Sequence, residues 1–146
     1  MRATLGALIF ALCASAQPSA PSVTWEGFFE RVGAEGVVFS QQMIELSGKR
    51  VRLRGYSVEH PRIEGGLFLT RFPHEDPHGV EEHDLPFDAV AIVWKKGLRL
   101  PATPARPTVE GVLRLGNRAV GVGETVTITL EDATPVIERS SAKRKK

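Results

Sequence analysis

Three of the chain's four histidines, His74, His78 and His83, fall within "PHEDPHGVEEHDLP", residues 73–86, among the carboxylates Glu75, Asp76, Glu81, Glu82 and Asp84. Imidazole and carboxylate groups are ligands for zinc or copper, and a site needs three or four of them to converge. The His74-x-x-x-His78 spacing would put two rings on one helical face, with His83 brought in by a turn and His60 at the end of the first strand, 49–59. Pro77 opposes a helix through that interval, and the spacing fits no strong metal motif. The favoured reading is a long solvated hairpin loop; a Zn- or Cu-binding protein, or a metal-dependent hydrolase, is the alternative. Adjacent acids such as Glu81, Glu82 and Asp84 could serve as an acid/base pair, but in an exposed loop they are ordinarily solvated.

A second constellation is the stripe Arg50, Arg52 and Arg54 in "KRVRLRGYSVE", with Tyr56, Phe68 and Phe72 as neighbours. The stripe reads first as a solvated outer face; the functional alternatives for basic residues interleaved with aromatics are an anionic ligand or glycan surface, or single-stranded nucleic acid. Nucleic acid is the weakest of these, because residues 23–138 carry thirteen Lys and Arg against seventeen Asp and Glu. Trp94, before Lys95 and Lys96, reads as a strand-end aromatic, with sugar stacking as the minority role. No nucleophile elbow surrounds the serines at 40, 47, 57, 140 and 141, and the glycines of "GNRAVGVGE" follow no strand-loop-helix phosphate pattern. The reading leans away from an enzyme.

The elements that must position these residues are strands. Val51 and Leu53 alternate with the arginines, and at Gly55 the alternation breaks, as at a β-bulge. Further strands are expected at 65–72, 87–94, 108–116 and 124–132. In the fourth, Val109, Leu113 and Leu115 point inward; in the fifth, Val126, Ile128 and Leu130 oppose Thr125, Thr127 and Thr129. Upstream, Trp25, Phe28, Phe29 and Val32 recur at i, i+3, i+4 and i+7 behind Thr24, which predicts a short helix stopped by Gly33 and Gly36. A second helical turn is expected over 40–46, capped by Ser40. Five strands with short helices outside them predict an all-β fold, a small five-stranded OB-like barrel with a short N-terminal helix; a small β-sandwich is the alternative. The segment 95–107 has four Pro or Gly breakers where an OB barrel usually carries a helix, so the N-terminal helix would serve as the plug.

"IELSGKRVRLRGYSVEH", "GGLFLTRF", a loop with His and Pro, "DAVAIVW" and "PTVEGVLRLG" together resemble a family of small exported bacterial OB-fold-like domains of unknown function, over about residues 40–138. Members often carry a cysteine with histidine in the loop after the second strand. The matching loop here has Pro73, His74, Pro77 and His78 but no cysteine, which removes a thiolate role. The resemblance implies a fold and a compartment more than an activity.

Composition bounds the rest. A chain of 146 residues with 42% hydrophobic content fits one globular domain. Arg2, the apolar run to Cys13 and then Ala14-Ser15-Ala16 have the order of a secretory signal over residues 1–16. Leu12 before Cys13 is wrong for lipidation, so cleavage would remove the single cysteine, and the product would be periplasmic or secreted. Residues 17–23 read as a linker, 24–138 as the domain and 139–146 as a basic tail that could touch an anionic membrane surface weakly. No stretch is apolar enough for a transmembrane segment. The functional expectation is an exported, non-catalytic cell-envelope binding or accessory module. Its partner would be an envelope protein or an anionic ligand, contacted by loops near 60–66, 73–86 and 95–107.

Overall fold

The structure is a computed structural model, which describes residues 19–59, 67–73, 85–98, 106–121 and 124–137. A 3-10 turn at Trp25–Gly27 leads into a hairpin of β1 (Phe29–Gly33) and β2 (Gly36–Phe39), followed by the short helix α1 (Gln41–Leu46). Then come β3 (Arg50–Arg54), β4 (Tyr56–Glu59), β5 (Leu67–Thr70), β6 (Val90–Trp94), β7 (Thr108–Gly121) and β8 (Glu124–Pro135). The last six strands form one sheet in the order β3-β7-β8-β6-β5-β4, antiparallel except for the parallel β6–β8 pair.

The five-stranded OB-like barrel is therefore not what the chain forms. The run 49–59, read from sequence as one bulged strand, divides at Gly55, so that β3 pairs with β7 and β4 with β5. These become the two edges of a six-stranded mixed sheet, and among the described residues no ladder joins them into a barrel. A single residue separates the edges in the chain, so the sheet coils until they come together at Gly55.

The N-terminal helix is also replaced. Only Trp25–Gly27 is helical, as a 3-10 turn, and Thr24 makes no side-chain cap. Phe29 enters a strand whose partner is Phe39, with the two rings stacked at 5.5 Å between centroids. The turn between Gly33 and Gly36 explains why: Gly36 takes φ +112, a left-handed geometry that a side chain resists. Helix α1 forms as expected, with Ser40 accepting from the Met43 amide at 3.2 Å.

Strand alternation does build the core. Leu67, Ile92, Leu130 and Leu113 stand in one cross-strand row, and Leu69, Val90, Ile128 and Leu115 in the next. With Val51, Leu53 and Val109 they make one apolar face, which Val23, Trp25, Phe28 and Met43 cover. A smaller cluster of Phe68, Ala91 and Val126 is packed by Leu85 and Val120. The segment 116–121 continues β7 beyond the strand expected at 108–116, with register shifts on either side of Arg118 and Ala119.

The N-terminal segment joins this body. The Arg52 amide donates to the Pro21 carbonyl at 2.8 Å and the Val23 amide to the Arg52 carbonyl at 2.9 Å, covering the outer edge of β3. That seats Trp25 above the point where β3 gives way to β4.

Candidate functional site

Four chain segments meet around Gly55 and enclose a cleft of about 410 Å³. Arg54 and Tyr56 come from the ends of β3 and β4, Arg71 and Phe72 follow β5, Arg106 precedes β7, and Val23 to Glu26 close the remaining side. Backbone and hydroxyl contacts fix each piece. The Trp25 indole Nε1 donates to the Arg54 carbonyl at 2.8 Å. Gly55 donates its amide to the Pro107 carbonyl at 3.2 Å, which brings the neighbouring Arg106 to the cleft. The Thr70 hydroxyl donates to the Phe72 carbonyl at 2.8 Å and reaches the Tyr56 carbonyl at 3.4 Å, tying the exit of β5 to the start of β4.

The charge is cationic and pre-oriented. The Arg106 guanidinium lies 5.2 Å from the Tyr56 ring centroid and that of Arg71 5.1 Å from Phe72, both within cation-π range. Arg71 also pairs with Glu26 at 2.9 Å. Among the described residues, Arg54 and Arg106 have no carboxylate partner. Planar guanidiniums held in this way match the oxygens of a carboxylate or phosphate.

Asp88 stands close enough to Arg71 to feel its charge. Burial pushes the Asp88 carboxyl above the ordinary carboxylate range, against the opposing pull of its own backbone hydrogen bond and of Arg71. A raised native pKa means that the folded state holds the proton more tightly than the unfolded chain. The stability that this contributes is present at acid pH and is lost as pH rises through the native value. Asp88→Asn, which is neutral at every pH, should therefore raise the melting temperature at pH 7 and leave it near the parent's at pH 3. Paired thermal melts at the two pH values check this.

The structure separates residues that the sequence grouped. Arg50 bonds to the Asp132 carboxylate and lies 4.0 Å from Glu110, while Arg52 Nε meets Glu110 Oε2 at 2.8 Å. The same charged surface continues through Glu131, bridged to Arg114 at 3.0 Å and Arg118 at 2.7 Å, and these two partners hold its carboxyl below the usual range. Arg50 and Arg52 thus serve cross-strand pairing, and only Arg54 and Tyr56 of the proposed ligand set line the cleft. Trp94 packs half-buried against the core at the end of β6, away from it. Phe68 is buried, whereas Phe72 does reach the cleft. His60, His74, His78 and His83 lie outside the described residues, as do the loops expected at 60–66 and most of 73–86. No group of three or more metal-ligating side chains occurs among the residues that are described.

Sequence reasoning missed Trp25, Glu26 and Arg71 as site residues, and reached Arg106 only through the loop expected at 95–107. The available signals were short: "TRFP" at a strand exit and "ARP" at a strand entrance, each putting an arginine where a sheet meets a loop.

The class that fold and cleft define is a β-rich domain, one coiled six-stranded mixed sheet capped by a two-stranded hairpin, with a cationic cleft where the edge strands of the larger sheet meet. Its architecture is similar to the crystal structure of a DUF3299 family protein from Pseudomonas aeruginosa PAO1, with a TM-score of 0.52 and 13% identity over 83% of this chain and 99% of that one. The likeness is one of fold, to a domain family without a characterised activity, and not to an OB fold in particular. No family model matches the sequence, and no curated protein matches it either.

Proposed function

We propose that this protein is a non-catalytic binding module that takes an anionic ligand in the cleft of Arg54, Arg71 and Arg106. The observation that carries the reading is the convergence of three guanidiniums from separate segments, two of them stacked on aromatic rings and two without a carboxylate partner among the described residues. A structural surface uses its arginines as Arg50 and Arg52 are used here, on carboxylates across the strands. The leader-like order of residues 1–16 supports an exported setting, and the cell envelope supplies anionic partners in abundance. No helix among the described residues is long and apolar enough to cross a membrane.

Calorimetric titration with phenyl phosphate and benzoate at low and high salt tests the proposal. Arg54→Ala and Arg106→Ala should each weaken binding about tenfold, or ~1.4 kcal/mol, because each removes a charge-assisted donor. Raising salt should weaken the parent's binding as well. Arg114→Ala, on the paired outer surface, should leave affinity unchanged. Equal losses at Arg54 and Arg114 would mean that net charge, not the cleft, attracts the ligand.

A further inference from the structure

The charge balance of the cleft narrows its ligand. Three guanidiniums and one carboxylate line it, and that carboxylate, Glu26, is already committed to Arg71 at 2.9 Å. Asp88 lies beside the same Arg71. Arg71 is therefore compensated from within, while Arg54 and Arg106 contribute about two positive charges that no carboxylate among the described residues compensates. A carboxylate or a phosphodiester carries one negative charge and would leave one guanidinium unmatched. A phosphate monoester carries close to two at neutral pH, with three oxygens free to accept. Arg106 also has its place set by Tyr56, at 5.2 Å, so little of its side-chain freedom is lost on binding, and the Trp25 indole fixes the Arg54 backbone. A volume of about 410 Å³ leaves room for more than the phosphate itself.

Resting on the anion-binding reading above, we propose that the cleft selects a dianionic phosphate, held between Arg54 and Arg106, over singly charged anions. Arg71 with Glu26 forms the neutral wall of that site. The ligand then belongs to the phosphate monoesters or is free phosphate itself, and the two sources share the same recognised group.

The test is a titration of the full chain with phenyl phosphate, methyl phenyl phosphate and inorganic phosphate at pH 7.5 and low salt, followed by calorimetry and amide chemical shifts. Phenyl phosphate should bind at least about tenfold more tightly than its methyl diester. Inorganic phosphate matching phenyl phosphate would identify the free ion as the ligand, and weaker inorganic phosphate would identify an ester; either supports a dianion site. A diester that binds as well as the monoester would overturn the inference while leaving the anion-binding reading standing, and would point to a phosphodiester polymer. Binding of none of the three would overturn both. Glu26→Gln provides a second readout, since it removes the carboxylate paired with Arg71 and makes the cleft more positive. It should tighten the diester slightly and the monoester more, since an added site charge acts on twice the ligand charge, and so widen the preference by a few fold; an unchanged ratio would contradict the charge-balance account.

Discussion

Trp25→Ala should lower the unfolding free energy by about 4 kcal/mol, the middle of the range for deleting a buried aromatic side chain. Trp25 is 8% exposed and belongs to the main core cluster, with its ring 4.9 Å from that of Phe28. Truncation would empty the space over Gly55 and orphan the Arg54 carbonyl that Nε1 now satisfies at 2.8 Å. Two losses add, since the wall of the cleft disappears along with the packing. Urea unfolding should show a lower midpoint at an unchanged slope, which separates lost stability from a change in the denatured state. Trp25→Phe keeps most of the apolar contact and loses only the indole donor, so its cost should be nearer 1 kcal/mol. If alanine and phenylalanine proved equally mild, the ring would not be holding the cap to the sheet.

Gly55→Ala is the second large effect, at about 2 to 3 kcal/mol, because the added methyl has nowhere to go. A Cβ on Gly55 would sit 2.7 Å from Trp25 Cζ2, 3.0 Å from the Thr70 carbonyl oxygen and 3.1 Å from Leu69 Cβ. None of these is the far end of a flexible side chain. Relief requires moving the indole, the Thr70 backbone or both, and each of them positions the cleft. The loss should therefore appear in ligand affinity as well as in stability. Because the clash is chiefly with the indole ring, Gly55→Ala combined with Trp25→Leu should cost less than the sum of the two single changes. A thermodynamic cycle over the four proteins measures that coupling. Strict additivity would mean that the two residues do not press on one another.

The strands were legible because alternation is a local signal. Val51, Leu53, Val109, Leu113, Ile128 and Leu130 all face the core, as their spacing demanded. Ser40 and the turn after it marked α1 for the same reason. Two other features misled. Trp25, Phe28, Phe29 and Val32 have helical spacing, yet a 3-10 turn also puts i and i+3 together, and the glycines at 33 and 36 close a hairpin in which Val32 is 52% exposed. Gly55 was recognised as a break in phase, but whether the break bends one strand or divides it between two sheet edges depends on pairing with β7 and β5, which are distant in sequence.

The cleft was half legible. Arg54 and Tyr56 lie two residues apart and could be read together. Arg71, Arg106 and Trp25 join them only through contacts across the fold, including the Gly55 amide to Pro107 and the Thr70 hydroxyl to Phe72. Nothing in a linear pattern distinguishes Arg54 from Arg50 and Arg52. What separates them is the presence of Glu110 and Asp132 beside the latter pair, a consequence of register between β3 and β7 and of the irregularity in β8 that turns Asp132 to φ +48.

The most direct measurement is the set of arginine Nε–Hε resonances followed during a phenyl phosphate titration, with each signal assigned by single substitution. Saturable shifts at Arg54 and Arg106, with Arg50, Arg52, Arg114 and Arg118 stationary, are the result that the cleft predicts. Shifts spread evenly over all of the arginines, or confined to the outer charged surface, would contradict it.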